Sequence, residues 1–185
     1  MIVDAQPGFY DAEPLAASDV EPAADVLRRA AWIAGVAAAL GVPAVITEED
    51  LGRNGPTDAR ILEALGADTP VFTKPVFGLA GCPDILAAVR ATGRSTAVLA
   101  GFETDVCVAQ SAVGLVDLGF RVVVLDDATF SPGEMHERGL ARATAGGAER
   151  NHCKGVAFEW LGTLAAARRL SAEYPQLGEG LAGGG

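Results

Sequence analysis

The chain has 185 residues and a mass of 18.9 kDa, which suits one well-packed domain and is too short for two ordinary ones. Half of its residues are hydrophobic, so it can bury a substantial core. Its net charge of −10 and its pI of about 4.6 disfavour nucleic acid and membrane surfaces as partners, because both are negatively charged. The charge excludes little about a small-molecule substrate, since a pocket can oppose the sign of the whole surface.

The chain carries no pattern that is typical of secretion or membrane insertion. Met1 leads directly into a short apolar run, and the most apolar helical stretch, Ala30 to Leu40, is too short to cross a bilayer. The three cysteines, Cys82, Cys107 and Cys153, are odd in number and widely spaced. This spacing fits neither a disulfide framework nor a paired-cysteine zinc site, so we expect reduced thiols in a cytoplasmic protein.

The first half of the chain alternates short apolar runs with helical patterns. Strands are predicted at Met1 to Val3, Val42 to Thr47 and Pro70 to Thr73. Helices are predicted from Asp19 to Leu40, from Thr57 to Leu65 and from Pro83 to Thr92. A glycine follows each of these helices, which is a common signal for a helix end.

The second half continues the alternation with more apolar strands. Strands are predicted at Ser95 to Ala100, at Phe120 to Leu125 and, more weakly, at Ala148 to Arg150. Helices are predicted from Thr104 to Leu118, from Gly133 to Ala145 and from Gly155 to Leu170. Strands that are apolar on both faces require helices on both sides of a parallel sheet.

The pattern therefore predicts an α/β fold, namely a three-layer, doubly wound, Rossmann-like sheet of about six parallel strands with helices on both faces. One domain is expected over residues 1–172, followed by a flexible glycine-rich tail over residues 173–185. In such sheets ligands bind beyond the carboxyl ends of the strands, near the point where the strand order reverses.

Cys107 is a candidate nucleophile because it lies where a predicted strand turns directly into a helix. Backbone amides and the positive end of the helix dipole at such a turn favour the thiolate, and the same amides could hold an oxyanion. The alternative is a small buried apolar residue, as most free cysteines are.

Two further polar residues end predicted strands. Asp4 follows the first strand and is either a turn cap or a general base that takes the thiol proton. Lys74 ends the third strand and is either a surface lysine or a cation that stabilises the thiolate and the oxyanion. Each residue has an ordinary structural explanation when it is taken alone.

Taken together, these residues resemble a known set. The segments Asp4-Ala5-Gln6 with Phe9, Val-Phe-Thr-Lys ending at Lys74, and Gly101 to Val108 are similar in order and spacing to the isochorismatase-like cysteine hydrolases. This family includes the nicotinamidases and N-carbamoylsarcosine amidase, and the resemblance covers about residues 1–165. The segment around Cys107 is its most specific part.

The resemblance implies a catalytic triad of Asp4, Lys74 and Cys107. It also implies a non-proline cis peptide before Glu103, so that the backbone amides of Glu103 and Cys107 form an oxyanion hole. Phe9, Phe77 and Leu79 are candidates for an apolar substrate pocket, although core packing explains them equally well.

The chain departs from the metal-binding nicotinamidases in the segment 47–56, which has no histidine. Glu48, Glu49 and Asp50 in this segment are either an oxygen site for a hard cation or solvated loop residues. We therefore expect no metal and no cofactor. The sequence Asn54-Gly55-Pro56 resembles the YcaC-like branch of the family, and true isochorismatases lack the cysteine.

Two functions follow as hypotheses. The first is metal-independent hydrolysis of a small amide or related C–N bond through a thioester intermediate. The second is a catalytically silent family member that acts as a binding or assembly protein. In either case we expect a homo-oligomer. A nucleotide-binding domain is disfavoured because no Gly-x-Gly-x-x-Gly or phosphate-loop motif follows the first strand.

Overall fold

The computed structural model describes residues 1–11 and 17–183. Six parallel strands form one sheet in the order β3-β2-β1-β4-β5-β6. The strands are β1 (Ile2–Val3), β2 (Ile46–Glu49), β3 (Val71–Lys74), β4 (Thr96–Phe102), β5 (Arg121–Phe130) and β6 (Glu149–Asn151). The predicted α/β fold with about six parallel strands is confirmed.

Helices connect the strands and cover the sheet. They are α1 (Ala17–Ala39), α2 (Leu51–Asn54), α3 (Ala59–Leu65), α4 (Pro83–Ala91), α5 (Ala109–Asp117), α6 (Met135–Ala145), α7 (Cys153–Leu161), α8 (Leu164–Glu173) and α9 (Pro175–Gly183). Among the helices of the described residues, none is both long and apolar enough to cross a membrane.

Two hydrophobic clusters lie on opposite faces of the sheet. One contains buried residues of α1, α3, α7, α8 and α9, and the other contains buried residues of α4, α5 and α6. Strand β5 contributes to both, because Val123 and Leu125 belong to the first cluster while Val122 and Val124 belong to the second. Successive side chains of a strand point to opposite faces, which explains why this strand is apolar throughout.

The close packing of β1 against β4 depends on a glycine. Gly101 has a φ of 129°, and a Cβ atom there would lie 1.9 Å from the carbonyl oxygen of Val3. Glycine is therefore required both by the backbone conformation and by the approach of the neighbouring strand.

The C-terminal region differs from its predictions in two places. The helix expected from Gly155 to Leu170 is divided into α7 and α8, because Gly162 adopts a left-handed conformation and the Thr163 side chain accepts the N–H of Ala166. The tail predicted to be flexible over residues 173–185 is instead helical over Pro175–Gly183, and its last two residues lie outside the described part.

Burial explains why the tail is ordered. Leu177 and Leu181 lie one helical turn apart, and both are buried in the cluster that contains α1. The indole N–H of Trp32 in α1 also donates a 3.0 Å hydrogen bond to the carbonyl of Leu177. These contacts anchor α9 to the domain.

Candidate active site

The strand order reverses between β1 and β4, and the candidate site lies at the carboxyl ends of the strands around this point. Asp4 follows β1, Glu49 ends β2, Lys74 ends β3, and Cys107 lies five residues beyond the end of β4. Glu49 and Lys74 are direct partners in the β2–β3 register. Four adjacent strands thus deliver four reactive side chains to one place.

Cys107 lies in a tight helical turn, as the sequence predicted. The Phe102–Glu103 peptide bond is cis, and residues Thr104–Val108 form a π-helical turn that runs directly into α5. The amides of Val106 and Val108 both donate to the carbonyl of Glu103, at 3.3 and 3.0 Å. The thiol is buried at the base of this turn.

The three residues of the predicted triad are in contact with one another. The Lys74 Nζ lies 2.7 Å from Asp4 Oδ2 and 3.4 Å from Cys107 Sγ, and it donates to the carbonyl of Val76 at 3.1 Å. The other oxygen of Asp4 accepts the hydroxyl of Thr47 at 2.8 Å. The side chains of Asp4 and Lys74 are fully buried, which is rare for charged residues unless they are paired.

Glu49 is a fourth member of the site, and nothing in the local sequence distinguishes it from its acidic neighbours Glu48 and Asp50. Its Oε2 accepts the thiol of Cys107 at 3.2 Å and lies 3.6 Å from the Lys74 Nζ. The side chain of Glu49 is 23% exposed, whereas those of Asp4 and Lys74 have no exposure. Glu49 is therefore the charged group of this set that a substrate can reach.

The other two acids of the segment point elsewhere. Glu48 is buried and accepts both the N–H and the hydroxyl of Thr57, at 2.7 and 2.8 Å. Asp50 is exposed and caps α2 by accepting the N–H of Arg53. The three neighbouring acids consequently do not converge on a shared cation site.

In the described part of the chain, the grouping with the spacing of metal ligands is Asp4, Glu49 and Cys107, whose ligand atoms lie within 4.8 Å of one another. The Lys74 ammonium contacts all three side chains. A metal ion at this position would have to displace the ammonium, so the geometry favours the lysine as the cation of the site.

Burial and the neighbouring charges shift the pKa values of both Cys107 and Asp4. Burial raises the pKa of Cys107, and the charge of Asp4 raises it further, while Lys74 opposes both effects. The expectation that the helix start favours the thiolate stays a prediction, which the alkylation rate of Cys107 tests. Burial also raises the pKa of Asp4 against the opposing effect of Lys74, which makes this carboxylate a better proton acceptor.

A network braces the turn that carries Cys107. The hydroxyl of Thr104 lies 2.9 Å from His136 Nδ1, which connects the turn to α6. Ser131, directly after β5, donates to the carboxylate of Asp105 at 2.6 Å. Burial lowers the pKa of His136, so a neutral imidazole is favoured in this position.

The three candidate pocket residues lie in different environments. Phe9 is half-buried and packs against the core, Phe77 is 51% exposed, and Leu79 is fully buried in the cluster of α4 and α5. The N–H of Leu79 donates to the hydroxyl of Ser111. Leu79 thus matches the alternative of core packing, and a pocket built from Phe9 and Phe77 stays a prediction.

The fold and the site define an α/β protein with a cysteine, lysine and carboxylate site at the switch point of a parallel sheet. A sequence model of the isochorismatase domain matches residues 1–150. The chain is also 31% identical over 163 residues to the probable hydrolase YcaC of Escherichia coli, covering 86% of this chain and 75% of that protein. The chain therefore belongs to the isochorismatase family, as its motifs predicted.

Solved structures agree with this assignment. The E. coli YcaC structure, described as an octameric hydrolase of unknown specificity, is 26% identical with a TM-score of 0.76, covering 95% of this chain and 87% of that chain. YcaC from Pseudomonas aeruginosa with covalent acrylamide is 25% identical with a TM-score of 0.76, covering 96% and 89%. The MAR1 ribonuclease of Caenorhabditis elegans has a TM-score of 0.81 over 95% and 86% of the two chains, and its 22% identity shows the shared fold alone.

Proposed function

We propose that this chain hydrolyses a small amide or a related C–N bond through a thioester on Cys107, without a metal ion. The observation that carries the proposal is the buried contact of the Cys107 thiol with Lys74, whose ammonium is paired at 2.7 Å with Asp4. Membership of a family of hydrolases supports the reaction class.

In the first half of the reaction Asp4 accepts the thiol proton, and the Cys107 sulfur attacks the carbonyl carbon of the substrate. The carbonyl oxygen becomes an oxyanion, which the backbone amides of Glu103 and Cys107 and the ammonium of Lys74 stabilise. The C–N bond then breaks, and Asp4 returns its proton to the leaving amine. A thioester remains on Cys107.

In the second half a water molecule attacks the thioester. Asp4 takes one proton from this water, and the C–S bond breaks to release the acid. The proton on Asp4 then restores the thiol. The same carboxylate serves as base and acid in both halves, for which its raised pKa is suited.

A screen of small amides and ureides tests this function. For any substrate that is turned over, Cys107→Ala should reduce kcat by at least about a thousandfold, because no other nucleophile replaces the sulfur. Cys153→Ala is the matched control, since Cys153 is a buried free thiol in the hydrophobic cluster on the opposite face of the sheet, and its kcat should be close to that of the wild type. An active Cys107→Ala variant would overturn the mechanism.

Thiol reactivity separates the enzyme from a silent family member. We expect iodoacetamide to alkylate Cys107 before Cys82 and Cys153, measured by mass spectrometry of the cysteine peptides. A Cys107 that reacts no faster than free cysteine at neutral pH, together with no turnover in the screen, would favour a binding or assembly protein.

We further propose that the chain forms a homo-oligomer. The octameric assembly of the E. coli relative supports this proposal. Several large apolar side chains are exposed in the single chain, among them Phe77 at 51% and Leu164 at 74%. Sedimentation velocity should show a species larger than the 18.9 kDa monomer, and a monomer at micromolar concentration would contradict the proposal.

A further inference from the structure

The charge that faces the Cys107 thiol is negative on balance. Two carboxylates, those of Asp4 and Glu49, approach the single ammonium of Lys74. The ammonium lies 2.7 Å from Asp4 Oδ2 but 3.6 Å from Glu49 Oε2. It therefore neutralises the charge of Asp4 more than that of Glu49. The carboxylate of Glu49 is the less neutralised of the two and also the more exposed.

A second carboxyl group, that of Glu103, lies near the carboxylate of Glu49. Glu103 begins the turn that carries Cys107 and is half-buried. Burial raises the pKa of Glu103, the charges of Asp105 and Glu49 raise it further, and Arg53 opposes these effects. The carboxyl groups of Glu49 and Glu103 thus lie on the partly exposed side of the site, with Arg53 as a neighbouring cation, while Lys74 is enclosed.

Glu49 is held in position by its backbone. Its N–H donates to Gln6 Oε1 at 2.6 Å, and its carbonyl accepts the side-chain amides of Gln6 and Asn54 at 3.0 and 2.9 Å. Gln6 is fully buried, so these hydrogen bonds fix the end of β2 relative to β1. A carboxylate on a fixed backbone is suited to recognise a ligand, since little order is lost on binding.

We infer that the substrate of this site carries a positively charged group close to its scissile carbonyl, and that Glu49 is the residue that selects it. This inference rests on the proposed function, because it concerns the molecule that Cys107 attacks. Glu49 Oε2 lies 3.2 Å from the sulfur, so a cation bound to it lies beside the reacting carbon. Ammonium- or amidinium-bearing amides fit this description. A substrate with a carboxylate or phosphate group at the same place would be repelled.

Charged alkylating reagents test the inference without knowledge of the substrate. The rates at Cys107 would be measured with 2-bromoethylamine as a cation, iodoacetamide as a neutral reagent and iodoacetate as an anion. Each rate is divided by the rate of the same reagent with N-acetylcysteine at the same pH, and the labelled peptide is quantified by mass spectrometry. We expect the normalised rate of the cation to exceed that of the anion by at least about tenfold at low salt.

The variants assign the preference to Glu49. Glu49→Gln should reduce the cation-to-anion ratio by about fivefold or more, whereas Glu49→Asp, which keeps the charge, should retain it. Glu63→Gln on α3 is the matched control, because Glu63 is exposed and this substitution removes one negative charge away from the site. Circular dichroism of each variant verifies folding.

The outcomes separate the two proposals. Labelling of Cys107 by iodoacetamide with no preference for the cation would overturn this inference and leave the proposed function intact. A preference that survives in Glu49→Gln would overturn the role of Glu49. If iodoacetamide labels Cys107 no faster than N-acetylcysteine and the amide screen shows no turnover, the proposed function fails first, and the inference fails with it.

Discussion

The ion pair between Lys74 and Asp4 is the most deeply buried polar contact of the site. Both side chains are fully buried, and each offsets the desolvation of the other. A buried pair contributes little net stability, but the loss of one partner leaves an uncompensated charge. The pair therefore links the stability of the domain to the integrity of its chemistry.

Lys74→Met should lower the free energy of unfolding by about 3–5 kcal/mol, because Asp4 would remain buried without its cation. Urea denaturation measures this loss. The double variant Asp4→Asn with Lys74→Met should recover much of it, since no buried charge remains. Arg121→Gln removes an exposed ion pair with Glu149 and should change stability by less than about 1 kcal/mol.

The sequence predicted three residues of the site and missed the fourth for a physical reason. Asp4 and Lys74 each stand at the end of a predicted strand, and Cys107 stands where another predicted strand turns into a helix. Their resemblance to the isochorismatase-like hydrolases implied that these three residues act together. Glu49 stands in a run of three acids, which is typical of a solvated loop. Its contact with Cys107 depends on the register of β2 against β3 and on the clamp from Gln6, and neither is readable from local pattern.

At the scale of elements, the contact between β1 and β4 positions Asp4 relative to the turn of Cys107. Gly101→Ala should destabilise the domain by about 3 kcal/mol or more, because its Cβ would overlap the carbonyl of Val3 and its φ of 129° disfavours alanine. Gly52→Ala in α2 is the matched control, since its Cβ would meet nothing closer than 3.7 Å. Urea denaturation should show a loss of stability for Gly101→Ala and a gain of up to about 1 kcal/mol for Gly52→Ala, because alanine loses less backbone entropy than glycine on folding.

The contact between α6 and the nucleophile turn should depend on pH through His136. Burial lowers the pKa of His136 below 6.5, so the unfolded chain binds the proton more tightly than the folded one. The contribution of the neutral His136 to the free energy of unfolding is fully present above pH 6.5. It is lost as the pH falls toward the lower pKa that His136 has in the folded state. Unfolding midpoints in urea at pH values of about 7.5 and 5.5 should fall less in His136→Gln than in the wild type. An equal fall in the wild type and in His136→Gln would exclude His136 as a source of the pH dependence of stability.

The boundaries of elements were predictable to the extent that local chemistry sets them. The glycines after the predicted helices and the apolar strands indicated the alternation correctly. The division of α7 from α8 had a local signal in Gly162 followed by Thr163, a helix end followed by a capping residue. The length of β5, which continues to Phe130, depends on pairing with β4 and had no such signal.

Helix α9 packs on the face of the sheet that α1 covers. Leu177→Ala should lower the free energy of unfolding by about 2–4 kcal/mol, because this side chain is 8% exposed and packs in the cluster with α1. Glu179→Ala on the same helix is the control, since Glu179 is exposed, and its effect should be within about 0.5 kcal/mol. Equal effects in the two variants would show that α9 does not anchor to the domain in solution.

The position of β1 also governs the order in which the domain can assemble. This strand has two residues and lies in the centre of the sheet, where Val3 pairs with Thr47 on one side and with Gly101 on the other. This strand precedes the other strands of the sheet along the chain, and it cannot pair with β4 until about a hundred further residues have been synthesised. Pairing between such distant segments is slow. The surroundings of Cys107 should therefore be among the last parts of the domain to form during refolding.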